Sequence, residues 1–152
     1  MSAAELRLTY SPDDEWLGEL NAVVRSGAFA GQGSAWFDRL HLKEAFVDRL
    51  RAFPFSAAIP PTIEGGFWSK KDPGSLDQFH LRIVVSPYNS RGTLLARVDL
   101  ATQSRDKPDI DQQQSVTARF LTEYAAAERF GEDISCVLEG SMEIAVPKGN
   151  TI

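Results

Sequence analysis

Residues 79–100 read FHLRIVVSPYNSRGTLLARVDL. Apolar and polar side chains alternate on both sides of a central segment that is rich in Pro, Asn and Gly. Alternation with a period of two is typical of a strand with one buried face, and Pro, Asn and Gly are typical of the turn between two strands. We therefore predict a long antiparallel hairpin.

The register of this hairpin can be predicted by matching its faces. Pairing Val85 with Leu94 brings apolar residues together along one face of both strands. A slip of one residue would turn every side chain to the opposite face. On the polar face, this register predicts that Arg82 lies opposite Arg97 and that His80 lies opposite Asp99.

Weaker patterns extend the fold outward from the hairpin. Alternation predicts further strands over 5–10, 19–25 and 116–120, and short strands at 35–37, 62–64 and 142–146. The glycine-rich segment Gly27–Gly33 is predicted to be a turn that uses positive φ angles. Helical spacing predicts two amphipathic helices, one from Asp38 that stops before Pro54 and one from Tyr124 with Thr122 as its cap and Gly140 as its stop.

These elements predict an α+β fold with a mostly antiparallel sheet of about six or seven strands and two amphipathic helices packed on one face. The chain has 152 residues, which fits a single domain over 1–152.

The composition restricts the classes of function. The net charge of −5 argues against general affinity for nucleic acid or anionic membrane, although it leaves room for a local basic patch. Cys136 is the only cysteine, so no internal disulfide is possible. The sequence contains neither a signal-peptide pattern nor an apolar run of membrane-spanning length, and we expect a cytoplasmic protein without a membrane partner.

Arginines on the predicted hairpin form the first candidate binding site. Arg82 opposite Arg97 would destabilise the sheet unless an anionic group lies nearby, and Arg119 on the next strand is expected to join them. Two interpretations remain open at this point. Carboxylates of the same chain (Asp99, Glu64 and Asp77) neutralise the arginines, or the arginines bind a carboxylate, a phosphate or an acidic protein surface.

His80 and Asp99 together resemble the base and its orienting carboxylate in a catalytic triad. A nucleophile is missing, because Ser86 is too far along the strand and Cys136 lies among apolar helix positions. We therefore expect a structural role for this pair and no enzymatic activity. The two histidines and the one cysteine show no ligand spacing, so neither a metal nor another cofactor is predicted.

Aromatic residues form the second candidate binding site. Trp16, Trp36, Phe67 and Trp68 belong either to the core or to a recognition patch, since tryptophan anchors many interfaces. Trp68 is the strongest of these candidates, because it precedes a polar loop and is expected to be partly exposed.

Several segments in order resemble small bacterial proteins, some of which are grouped with the WapI-type immunity proteins of contact-dependent toxin systems. They are the Gly-rich stretch leading into Ala35-Trp36-Phe37 and a helix, the segment Pro60-Pro61-Thr62-Ile63-Glu64-Gly65-Gly66, the long hairpin, and a strand leading into Tyr124 and Phe130 on a final helix. The resemblance covers most of the chain, contains no specific motif and carries over no catalytic residue. It implies a protein without enzymatic activity that neutralises a toxin by binding it.

We therefore predict a cytoplasmic binding protein whose partner is another protein. Many toxin domains are basic, so the acidic segments Asp13-Asp14-Glu15 and Glu132-Asp133 are expected contacts together with Trp68. The alternative is a domain that binds a small ligand or an anion through Arg82, Arg97 and Arg119.

Overall fold

The structure is a computed structural model that describes residues 3–105, 112–147 and 149–151. It contains eight strands: β1 (Ala3–Pro12), β2 (Leu17–Ser26), β3 (Phe29–Asp38), β4 (Thr62–Trp68), β5 (Leu76–Pro87), β6 (Thr93–Ala101), β7 (Ser115–Glu123) and β8 (Gly149–Thr151). Its helices are α1 (Arg39–Leu42), a π-helical segment (Lys43–Val47), α2 (Asp48–Leu50) and α3 (Tyr124–Glu139).

All eight strands belong to one antiparallel sheet in the order β3-β2-β1-β8-β7-β6-β5-β4. The predicted α+β class is confirmed, with eight strands in place of six or seven. The predicted pairing of the 116–120 strand with the long hairpin is also confirmed, because β7 pairs with β6 along its whole length.

Both helical stretches begin and end for local reasons. The Asp38 carboxylate accepts the N–H groups of Leu40 and His41, which caps the continuous helix over 39–50. That helix ends four residues before Pro54. Gly140 ends α3 with a φ of 82°, as predicted, whereas Thr122 lies within β7 and Glu123 occupies the cap position.

The sheet is strongly coiled, so that β3 crosses over the strands at the opposite edge. A Cβ atom on Gly33 would lie 2.8 Å from the carbonyl oxygen of His80 in β5, and one on Gly65 in β4 would lie 2.8 Å from the Cβ of Ala35. Backbones can approach this closely only where the side chain is absent. The segment 27–33 is therefore mostly strand and not the predicted turn: only Gly27 has a positive φ there, at 62°, and β3 begins at Phe29.

The core lies inside the coiled sheet. One contiguous cluster joins the inward side chains of the strands to Phe46, Leu50, Phe130 and Ile134 of the helices. Both helices thus close the concave side that β3 does not cover. None of the helices in the described ranges is long and apolar enough to cross a bilayer.

The register of the long hairpin differs from the prediction by two residues. Val85 pairs with Ala96 and not with Leu94, and Arg82 pairs with Asp99. A shift of two residues keeps the side chains of residues 81–87 on their predicted faces, because side chains alternate with a period of two. Nearer the start of β5 the faces are reversed: His80 is buried and Phe79 is half-buried beside Arg82. The shift changes all the cross-strand partners, so Arg82 does not lie opposite Arg97 and His80 does not lie opposite Asp99.

The last predicted strand is also displaced along the chain. Residues 142–146 form only one bridge, in which Ala145 and Leu8 exchange two backbone hydrogen bonds of 3.0 Å. The strand β8 follows at Gly149–Thr151, between β1 and β7.

Candidate functional site

The convex side of β4–β7 carries the predicted arginines, which we call the arginine face (Arg82, Arg97 and Arg119). Arg82 pairs with Glu64 of β4, with both Nε and Nη2 lying 3.0 Å from Oε2. Its Cζ also lies 5.6 Å from the centroid of the Phe79 ring, within cation–π range. The Arg82 charge is therefore balanced within the chain.

Arg97 is balanced by Asp99, two residues along the same strand. Its Nε lies 3.1 Å from Oδ2 and 3.4 Å from Oδ1 of Asp99, and the hydrogen bond is directed at Oδ1. Thr117 of β7 also donates its hydroxyl to Oδ1 at 2.5 Å. Asp99 is buried, so this carboxylate anchors Arg97 and Thr117 and is inaccessible as a reactive group.

Arg119 lies directly opposite Arg97 in the β6–β7 pairing and is exposed. Among the described residues its side chain makes no ion pair. The arginine face therefore combines three guanidinium groups with two carboxylates. Of the two interpretations left open by the sequence, neutralisation within the chain holds for Arg82 and Arg97, whereas Arg119 has no compensating carboxylate among the described residues.

His80 occupies the extra position of a β-bulge, where Gly65 pairs with Leu81 and the next residue, Gly66, pairs with Phe79. Its ring is buried, lies edge-on against Phe67 at 4.6 Å, and has Nε2 2.6 Å from Oε1 of Gln78. Burial lowers the pKa of His80. The predicted pairing of His80 with Asp99 is wrong, because the bulge and the shifted register separate them.

The buried Gln78 fixes the hydrogen-bonding role of His80. Its amide donates to the carbonyl oxygen of Ser104 at 3.0 Å, and its Oε1 accepts the N–H of Ser104 at 2.9 Å. Since Oε1 is an acceptor, Nε2 of His80 must carry the proton and donate. This network joins β5 to the segment after β6 and is structural.

Trp68 is partly exposed as predicted, at 48%. It lines an open cleft of about 710 Å³ at the β4–β5 turn, together with Gly66, Phe67, Ser69, Lys70, Lys71 and Asp77. The loop is held by the hydroxyl of Ser69, which accepts the N–H groups of Lys71 and Asp72. Phe67 packs against His80, so the predicted aromatic patch does not extend from Trp68 into a larger surface.

A second aromatic surface lies at the other edge of the sheet, and we call it the tryptophan face (Trp16, Leu17, Trp36 and Leu40). Trp16 is 61% exposed and Trp36 is 52% exposed. On the outer side of the β2–β3 pair, Leu17 lies opposite Asp38 and Glu19 lies opposite Trp36, so Leu17 and Trp36 are diagonal neighbours. Leu40, in the first turn of α1, is also exposed.

The backbone that carries Trp16 is held from two sides. The Asp14 carboxylate accepts the N–H groups of Trp16 and Leu17, each at 2.7 Å, and these bonds lower the pKa of Asp14. The Arg39 guanidinium donates to the carbonyl oxygens of Glu15 and Leu138, while the Arg39 N–H donates to the Trp16 carbonyl at 2.7 Å. An exposed tryptophan on a fixed backbone loses little conformational entropy when it is buried by a partner.

Acidic side chains surround the tryptophan face. Asp13, Asp14 and Glu15 are exposed at the tip of the β1–β2 hairpin, Glu19 lies beside Trp36, and Asp38 begins α1. Arg39 is the nearby cation, and its donors are directed at backbone carbonyls. The other acidic segment predicted as a contact is Glu132-Asp133. Its charge is partly balanced within the chain, because Glu132 lies 4.0 Å from Arg51.

The sequence indicates Trp16, Trp36 and Asp13-Asp14-Glu15 as separate candidates and does not show that they are neighbours. Their proximity depends on the pairing of β2 with β3. The sequence does not predict this pairing, because the first half of β3 is rich in glycine and shows no alternation of apolar and polar residues. The full pairing from Leu17–Asp38 to Ser26–Phe29 makes Trp36 a diagonal neighbour of Leu17, the residue that follows Trp16 and the acidic tip in the sequence.

In the described part of the chain, no group of three or more His, Cys, Asp or Glu side chains is placed to hold a metal ion. No protein family model, no curated protein and no solved structure matches the chain.

Proposed function

We propose that the chain is a cytoplasmic, non-enzymatic binding protein that recognises a basic partner protein through the tryptophan face. The observation that carries this proposal is the exposure of Trp16 on a backbone held by Asp14 and Arg39. Tryptophan is among the residues most enriched at the centres of protein interfaces, and a pre-organised anchor lowers the entropic cost of binding.

The charge around this surface supports a basic partner. Asp13, Asp14 and Glu15 form a negative rim beside Trp16, and the whole chain carries a net charge of −5. Opposite charges on the two proteins would steer their encounter and raise the association rate at low salt.

We further propose that this partner is a toxin and that the chain is an immunity protein. This proposal is supported by the resemblance of the sequence to WapI-type immunity proteins and by the acidic rim, which suits a basic toxin. Neutralisation would then consist of covering the toxin's surface, with no chemistry contributed by this chain.

A capture experiment with matched variants tests the binding proposal. The immobilised full chain is incubated with lysate of the native cell, and retained proteins are quantified by mass spectrometry. We expect one protein that is retained by the wild type and by Trp68→Ala, is lost with the double variant Trp16→Ala/Trp36→Ala, and is released by high salt. A captured set that is the same for the wild type and the double variant would contradict the proposal.

A growth assay separates the proposed immunity role from the proposed binding role. Expression of the captured protein alone should arrest growth, and co-expression of the wild-type chain should restore it, whereas the double tryptophan variant should not. A captured protein that is harmless when expressed alone would remove the immunity role and leave the binding role intact.

A second candidate function is anion binding at the arginine face. It is favoured by one observation: Arg119 is exposed, lies opposite Arg97 and makes no ion pair among the described residues. Titration of inorganic phosphate into the protein, followed by NMR shifts of β6 and β7, should then show saturable binding that Arg97→Gln/Arg119→Gln abolishes. Unchanged shifts in the wild type would exclude this candidate for phosphate.

A further inference from the structure

The two edges of the sheet are protected very differently. At one edge, β4 is seven residues long, follows Pro60-Pro61, carries Glu64 and is interrupted by register shifts at Gly65/Gly66 and Phe67/Trp68. Prolines, charges, bulges and short length are the devices by which proteins prevent an edge strand from pairing with another chain.

At the other edge, β3 has none of these devices along its pairing surface. It pairs with β2 over ten consecutive residues without a register shift. From Ser26 to Phe37 the sequence contains neither a charged residue nor a proline. Within the described ranges, no strand pairs with the side of β3 that faces away from β2.

The exposed side chains of β3 also favour pairing. Phe29 is 65% exposed near the start of the strand, and Trp36 is exposed near its end. Between them stand small or uncharged residues, Ala30-Gly31-Gln32-Gly33-Ser34-Ala35, which allow another backbone to approach closely.

We propose that two copies of the chain associate through antiparallel pairing of their β3 edges, which joins the two sheets into one. A twofold axis perpendicular to the sheet keeps the outer faces of both copies on the same side, so residues of equal parity pair. In the register centred on Gly33, Trp36 lies opposite Ala30 of the second copy, and Gln32 lies opposite Ser34 of the second copy. Trp36 thus faces a small side chain, Phe29 lies opposite Phe37 of the second copy, and no like charges meet.

A second copy suits this edge better than a charged partner strand does. The segment offers no charge to complement, and in the reversed pairing its exposed Trp36 meets the small Ala30 of the second copy. This association does not rest on the proposed binding function, although Trp36 belongs to both surfaces. It also differs in salt dependence, because salt screens the repulsion between two chains of net charge −5 and leaves backbone pairing in place.

The test measures the oligomeric state of the full chain by sedimentation and light scattering over about 1–200 µM, with the folded state of each variant checked by circular dichroism. We expect a concentration-dependent dimer for the wild type. Gln32→Lys/Ser34→Lys and Gln32→Glu/Ser34→Glu place like charges opposite each other across the axis, and each should dimerise at least about tenfold more weakly. An equimolar mixture of the lysine and glutamate variants should restore the dimer.

The matched control is Asn21→Lys/Val23→Lys. These two residues of β2 lie opposite Ser34 and Gln32 on the same outer face but one strand farther from the edge, so the dimer should persist. A wild type that stays monomeric throughout the concentration range would overturn the proposal. So would a dimer that is equally stable in the lysine, glutamate and wild-type proteins.

Discussion

Asp14 holds the backbone of the tryptophan face by accepting two N–H groups. Its pKa is lowered chiefly by the N–H of Leu17 and then by that of Trp16, because these bonds stabilise the charged carboxylate. A lowered folded-state pKa means that the stabilisation is present above the unfolded pKa, near 3.8, and is lost as the pH falls through the folded value.

We therefore predict that Asp14→Ala lowers the denaturant midpoint of unfolding at neutral pH and that Asp14→Asn lowers it less. Asparagine keeps an oxygen that accepts the same two N–H groups, although it lacks the charge. Chemical denaturation at pH 7 and near pH 3 measures the effect, and both variants should lose less stability than the wild type between the two pH values. Equal midpoints for the alanine variant and the wild type would show that Asp14 does not hold this turn.

His80 makes the free energy of unfolding depend on pH in a second range, which lies above that of Asp14. Burial lowers its pKa, so the unfolded chain binds a proton more readily than the folded chain does. The associated stability is fully present above the unfolded pKa, about 6.5, and declines as the pH falls from there towards the folded pKa. Protonation would place a charge beside Phe67 in a buried bulge.

His80→Gln is the variant that isolates this titration, because glutamine can still donate to Gln78 and does not ionise. We predict that the wild type loses unfolding free energy between about pH 7 and pH 5, and that His80→Gln loses less over the same interval. His41→Gln is the control, since it removes the other histidine, which is exposed, and should behave as the wild type does. If His41→Gln, and not His80→Gln, reduced the loss of unfolding free energy between pH 7 and pH 5, the assignment to His80 would be wrong.

At the scale of elements, the crossing of β3 over the opposite strands depends on glycine. An alanine at Gly33 would place its Cβ 2.8 Å from the His80 carbonyl oxygen and 3.1 Å from Leu100. Because the nearest atom is backbone, the strands must separate to accommodate the methyl group.

We predict that Gly33→Ala destabilises the protein by about 1–3 kcal/mol, the usual cost of overpacking a close contact. Ser34→Ala, on the outer face of the same strand, is the matched control and should change stability by less than about 0.5 kcal/mol. Denaturant unfolding of both variants measures the difference. If the glycine variant were as stable as the control, β3 would not lie this close to β5.

The sequence predicted the long hairpin and its two faces but not its cross-strand partners. Alternation repeats every two residues, so pairings offset by two residues bury the same side chains, and only the turn distinguishes them. In the structure the strands stay paired to Pro87–Leu94, and the N–H of Tyr88 bonds the carbonyl of Thr93, which makes a shorter turn than the predicted one. The whole prediction of Arg82 opposite Arg97 depended on that difference.

Two other parts of the site could not be predicted for related reasons. The bulge at His80 adds one residue to β5, and nothing in the alternation of Phe79, His80 and Leu81 indicates it. The first half of β3 consists of glycine and other small residues, which carry no hydrophobic period. The tryptophan face depends on the pairing of β3 with β2. It could therefore not be predicted from the sequence, although Trp16 and Trp36 were each candidates.

At the scale of the whole molecule, charge and aromatic exposure point to different surfaces. The arginine face is largely neutralised by Glu64 and Asp99, whereas the acidic rim of the tryptophan face lacks comparable cationic partners among the described residues. All three tryptophans of the chain are exposed, and two of them lie on the tryptophan face. A partner that buries this face would cover its aromatic residues and its acidic rim together.

The most direct test is the affinity of the purified captured partner for three forms of the full chain, measured by titration calorimetry. We predict that Trp16→Ala raises the Kd by about 30-fold, as expected for a central anchor, whereas Trp68→Ala changes the Kd by less than about twofold. An unchanged Kd for Trp16→Ala with a large loss for Trp68→Ala would contradict this prediction and would place the interface at the β4–β5 cleft.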